Sequence, residues 1–118
     1  MVKETENTDI RVLNLIAKVL NRSDLNPFHI ALYTALLKEF LLQNVSDKFR
    51  ITRRKIMALS QIRSITTYHR CIKGLVRADL IKHHPSYHPK LGTEVEFVVD
   101  HIIFTYSAFF SFADEGLM

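Results

Sequence analysis

The 118-residue chain contains one cysteine, no tryptophan, three glycines and three prolines. A lone cysteine cannot close an internal disulfide, so the fold must rest on packing and hydrogen bonds, and a reducing compartment suits it. So few glycines and prolines exclude a collagen-like or low-complexity chain, and a hydrophobic content of 47% excludes a disordered one. A long apolar run is missing too. The greasiest stretch, Ile102 to Ala113, is broken by Thr105, Tyr106, Ser107 and Ser111 and falls short of the ~20 residues of a membrane span. The opening Met-Val-Lys-Glu-Thr-Glu-Asn lacks the apolar segment of a secretory leader. These absences lead to the expectation of one compact cytoplasmic domain that engages no membrane.

Acids are scarce in one region only. Residues 44–92 carry eleven Lys or Arg against two acids, Asp47 and Asp79, a local net charge of +9 within a chain of net +4. The remainder carries five bases and ten acids. A cationic middle between acidic ends suits a polyanion, and arginine outnumbers lysine there, the side chain best matched to phosphate and to guanine edges. A solvated basic face is the plainer alternative, and the arginine content weighs against it.

The pattern of apolar residues predicts a mainly α chain with a small β-hairpin, an α+β arrangement. Residues 1–8 read as a polar arm. A helix from Asp9, with Asp9 as N-cap, would place Leu13, Ile16, Ala17 and Leu20 on one stripe. Asn26 caps a long second helix with Pro27 at its first position, and Ile30, Tyr33, Leu37, Phe40 and Leu41 form its buried face. Phe49–Ile51 is a short strand. Thr52 caps a helix over Arg53–Ser60 with Ile56 and Leu59 inward. After the corner Gln61-Ile62-Arg63, Ser64 caps a helix to about Ala78. Leu80–His84 and Thr93–Val99 read as strands joined by the turn-rich loop of residues 85–92. The boundaries that follow are an N-terminal arm and amphipathic helix over 1–25, a central domain over 26–99, and an aromatic C-terminal helix over 100–118.

This order of elements is that of a winged helix-turn-helix, in which the second helix of the pair enters the DNA major groove and the hairpin reaches the adjacent backbone. On the Ser64–Ala78 helix the spacing gathers Ile65, Tyr68, Cys71, Ile72, Leu75 and Val76 on one side. Thr66, Arg70, Lys73 and Arg77, with Arg63 just before them, fall opposite, and none of the charged residues between Arg63 and Arg77 is acidic. Hydroxyls of Ser64, Thr66 and Thr67 stand at the N-terminal end, where such a helix meets base edges, with His69 flanking the basic face. Arg53, Arg54 and Lys55 crowd the first turn of the preceding helix against its macrodipole, a penalty that a phosphate would relieve. His88 and Lys90 would bring the hairpin loop to the backbone. Gly74 either allows close approach of another backbone or has no packing role, and the second reading is preferred.

No nucleophile elbow, phosphate-binding glycine loop or carboxylate pair is present, so an enzyme is not expected, nor a cofactor or small-molecule substrate. His83 and His84 point to opposite faces of a strand and make a poor metal site, even with His88 near them in sequence. Cys71 falls in the apolar sector and reads as a buried hydrophobe.

The wording of residues 28–97 resembles a family of small winged-helix proteins of bacterial mobile elements, similar to the N-terminal domains of replisome-organiser and DnaD-like primosomal proteins. The match is carried by Phe28-His-Ile-Ala-Leu-Tyr33, Ser64-Ile-Thr-Thr-Tyr-His-Arg70, Lys73-Gly-Leu75, Leu80-Ile81 and His84-Pro-Ser-Tyr-His-Pro-Lys-Leu-Gly92. That resemblance implies a nucleoid-associated DNA-binding protein of transcription, replication or excision, with Ser64, Thr66, Thr67 and Arg70 as the base-facing set. Gly74 departs from the polar or acidic residue expected at its position. The aromatic tail has two open readings. It packs back on the first helix, or residues 102–113 pair with residues 9–20 of a second copy to form a homodimer. The competing functional reading is a protein-interaction winged helix that docks an acidic partner and leaves DNA alone.

Overall fold

The computed structural model describes the backbone of residues 2–45, 47–85 and 92–98, and within these ranges the side chains from residue 10 onward. The chain is a mainly helical α+β protein. Four helices, α1 (Val2–Leu20), α2 (Pro27–Gln43), α3 (Arg53–Ser60) and α4 (Ile65–Arg77), accompany three strands, β1 (Lys48–Ile51), β2 (Ile81–His84) and β3 (Thr93–Phe97). The strands form one antiparallel sheet in the order β1-β3-β2. The chain divides into two units, residues 25–98 and the two flanks. No helix among the described residues is long and apolar enough to cross a membrane.

In the flanking unit, α1 begins at Val2 rather than Asp9. Lys3, Glu4 and Glu6 are good helix formers, and no Pro or Gly interrupts the stretch, so nothing stops the helix short. Asp9 is therefore an interior residue and not a cap. Among the described side chains of α1, Leu15 and Val19, one turn apart, are buried, whereas Leu20, expected on the buried stripe, is exposed.

The central unit is built around α2. Asn26 accepts a hydrogen bond from the His29 N–H (3.0 Å) and donates its own N–H to His29 Nδ1 (3.1 Å), a reciprocal cap that leaves Pro27 at a position needing no donor. Leu32, Tyr33, Ala35, Leu36, Leu37, Glu39 and Phe40 are buried, so α2 is covered on most sides by α3, α4 and β1. Each such Leu contributes ~1.5–3 kcal/mol by leaving water. Leu41, expected inside, is exposed. Asn44 ends the helix in the left-handed conformation, its N–H donating to Leu41 O.

Phe97 is the centre of the aromatic core. Its ring stacks on Phe49 (5.3 Å between centroids) and meets the edges of Tyr33 (5.1 Å) and Phe40 (5.6 Å). The Tyr33 hydroxyl lies buried without a hydrogen-bond partner among the described residues, and burial pushes its pKa up. Register pairs Lys48 with Glu96 and Phe49 with Val95 on one side, Lys82 with Glu96 and His83 with Val95 on the other. Phe49, Ile51, Ile81, Val95 and Phe97 are buried, the alternation expected of a sheet with one covered face.

One contact ties the sheet to α2 and another sets how β3 enters it. The Gln43 side chain accepts from the Arg50 N–H (3.0 Å) and donates to Arg50 O (2.6 Å), satisfying the outer edge of β1 as a neighbouring strand would. Gly92 holds φ +72° just before β3, and a Cβ there would sit 2.5 Å from Ile51 O. Only glycine fits that crossing.

Candidate nucleic-acid interface

The turn between α3 and α4 is set by two caps and one left-handed residue. Thr52 accepts from the Lys55 N–H and opens α3. Gln61 adopts φ 61°, its N–H and that of Ile62 returning to Ala58 O and Met57 O, and Ile62 is buried beneath the turn. Ser64 then accepts from the Thr67 N–H and starts α4. At the far end Asp79 at φ 60° and the Leu80 N–H bonded to Leu75 O close α4, with Leu80 buried, and the chain passes directly into β2.

These anchors sort the side chains of α4. Tyr68, Cys71, Ile72 and Leu75 are buried. Burial pushes the Tyr68 hydroxyl and Cys71 thiol above their ordinary pKa values, with Arg53 opposing the first shift and Arg70 the second. Thr66, Arg70, Lys73 and Arg77 follow one another on the opposite side and are exposed, as are Arg63, Ser64 and His69, while Thr67 is half-buried. Among the described residues no carboxylate lies within ion-pair distance of Arg63, Arg70, Lys73 or Arg77. Arg53 and Arg54, exposed in the first turn of α3, are likewise without a carboxylate partner.

Lys55 differs from its neighbours. Its Nζ lies 3.2 Å from Oε1 of Glu39, a carboxylate only 3% exposed on α2. The approach attracts charge to charge without the alignment of a hydrogen bond, and Gln43 Nε2 stands 3.4 Å from the other oxygen. The relief expected from a phosphate is thus already supplied to Lys55 from within the chain. The sequence reading does not mark Glu39, although an acid set with Lys38 among Leu36, Leu37, Phe40, Leu41 and Leu42 needs a cation wherever the helix buries it.

Three further expectations are corrected on α4. Ile65 and Val76 are exposed, at 49% and 41%, and do not join the core. Gly74 has a packing role, because the imidazole of His29 lies over it and a Cβ would stand 2.4 Å from Nε2. The residue that approaches is a side chain from the α2 cap and not another backbone.

On the sheet, Arg50 pairs with Glu94 (3.2 Å) and His84 with Glu96 (3.2 Å). His83 shares the side of Val95 and is half-buried; burial lowers its pKa, and His84 and His69 lower it further. No group of metal-ligating residues gathers among the described residues. His88 and Lys90, and the proposed pairing segment 102–113, lie outside the described residues. Comparison with family models, curated proteins and solved structures gave no match.

Proposed function

We propose that the chain is a winged helix-turn-helix protein that binds double-stranded DNA sequence-specifically, with α4 in the major groove and the first turn of α3 on the backbone. One observation carries the reading: the stripe Thr66, Arg70, Lys73 and Arg77 is exposed, cationic and uncompensated by carboxylates among the described residues. Leaving such charges together costs self-repulsion, which a polyanion relieves. The succession α2-β1-α3-α4-β2-β3 and the sheet order β1-β3-β2 suit the same assignment. So does the wording of residues 28–97, which is akin to winged-helix proteins of bacterial mobile elements and favours a regulator or replication accessory factor. Ser64, Thr66, Thr67 and Arg70 are assigned to base edges, with His69 flanking them. Arg53, Arg54, Arg63, Lys73 and Arg77 hold phosphates.

The test is a fluorescence-anisotropy titration of a random-sequence duplex at several salt concentrations. Five cations (Arg53, Arg54, Arg63, Lys73, Arg77) meeting phosphate give a slope of log affinity against log salt of about −4.5. No binding at ~50 mM salt, where electrostatic contact is strong, overturns the reading and favours an acidic protein partner for the same face.

A further inference from the structure

We infer that Ile65 is a specificity-determining residue that reads the 5-methyl group of thymine. The inference rests on the placement of α4 in the major groove. Ile65 is the first residue of α4, directly after the Ser64 cap, and half of its surface is open. Helical spacing predicts it beside Tyr68 and Ile72 in the core, yet at the entry to the helix from the α3 turn it stands 49% exposed. Its neighbours along the exposed surface are Thr66, with a methyl and a hydroxyl, and His69 one turn on.

α4 therefore presents two strips side by side. One runs through Thr66, Arg70, Lys73 and Arg77 and is cationic; the other holds Ile65, His69 and Val76 and is largely apolar. In the major groove the cationic strip matches phosphates and the acceptor edge of guanine, while the thymine methyl is the apolar group that base edges offer there. A β-branched side chain suits that contact, since its rotamer is already restricted and little freedom is lost when it docks. Val76 lies near the opposite end of the helix, away from the N-terminal turn that meets bases. Ile65 alone is assigned the methyl.

The experiment uses the full chain and a duplex recovered by selection from a random library, prepared with thymine and with uracil at each T. Uracil keeps the hydrogen-bonding edge and removes only the methyl. Wild-type protein should bind the uracil duplex about fourfold more weakly, the equivalent of ~0.8 kcal/mol for the one methyl that Ile65 contacts. Ile65→Ala, which keeps a strong helix former at an exposed position, should bind both duplexes alike. Equal affinity of the wild type for both duplexes overturns the inference, as does an equal penalty in wild type and I65A. Binding that persists without methyl dependence sinks the role of Ile65 alone. Failure of the wild type to bind any duplex sinks the DNA reading together with it.

Discussion

The outer face of the sheet and the outer face of α4 both carry cations, and they hold them in opposite ways. On the sheet, Glu96 stands in register between Lys48 and Lys82, and Glu94 between Arg50 and His84. Each acid thus separates two bases; Arg50 closes to 3.2 Å on its register partner Glu94, and His84 reaches diagonally to Glu96 at 3.2 Å. Lys55 is treated similarly by the buried Glu39. On α4 and in the first turn of α3, Arg53, Arg54, Arg63, Arg70, Lys73 and Arg77 have no such neighbour among the described residues. Cationic residues compensated within the chain contribute to its own cohesion, modestly at an exposed surface. Uncompensated ones clustered on a single helix face cost stability, and the cost makes sense where a partner removes it. Charge count alone therefore misjudges the protein, and the arrangement of acids around the bases is the informative quantity.

Substitutions on either face can break this contrast. Arg70→Ala should produce the largest change, lowering affinity for a selected duplex by ~1–3 kcal/mol and for random DNA by less. Equal losses on the two duplexes, compared by anisotropy, would remove base recognition from α4. Glu94→Gln combined with Glu96→Gln should remove the acid that stands in register with both Lys48 and Lys82. The salt slope for random DNA should then steepen by ~1 to 2 as these two lysines meet phosphate. An unchanged slope would mean that the sheet faces away from the duplex.

The contact that sets the C-terminal half of α4 against the α2 cap yields a smaller effect. In an His29→Ala background, Gly74→Ala should raise stability in urea by ~1 kcal/mol, the helix-propensity gain. In the wild type that gain should vanish, because the ring must move and surrender its bond from the Asn26 N–H, worth ~1 kcal/mol. The same gain in both backgrounds would show that the ring yields freely. The smallest effect belongs to His83, which lies between the two regions on β2. Burial, then His84 and His69, hold its pKa below the usual 6.5 in the folded chain. The unfolded chain takes up the proton first, so this contribution is complete above pH 6.5 and declines as the pH falls below it. His83→Gln should flatten that decline in thermal melts recorded across the range.

Local chemistry made much of the frame legible. Asn26-Pro27, Thr52 and Ser64 are capping residues followed by helical periodicity, and the three helices begin where those caps stand. Val95 and Phe97 alternate with Glu94 and Glu96, and the strand buries the apolar pair. What escaped depends on the arrangement of distant elements. A helical wheel assigns Ile65 and Val76 to the inside of α4, but neighbouring elements cover only its middle, and both ends emerge. Leu41 fails in the same way at the end of α2. The third strand partner, the Gln43 clamp on Arg50 and the ring of His29 over Gly74 join residues with no periodic relation, and no local propensity encodes them. For the interface, the sequence supplied the polarity of α4; which bases already have an internal acid, as Lys55 has, depended on three-dimensional placement.

The chain's single thiol offers a practical consequence. Cys71 is sealed under α4, and its surroundings disfavour the thiolate, the form that attacks alkylating reagents and peroxides. Labelling with such a reagent should therefore proceed only through molecules in which this helix has lifted, making the rate of adduct formation a direct clock for its opening. A tightly bound duplex holding the helix down should slow that clock, without any engineered probe.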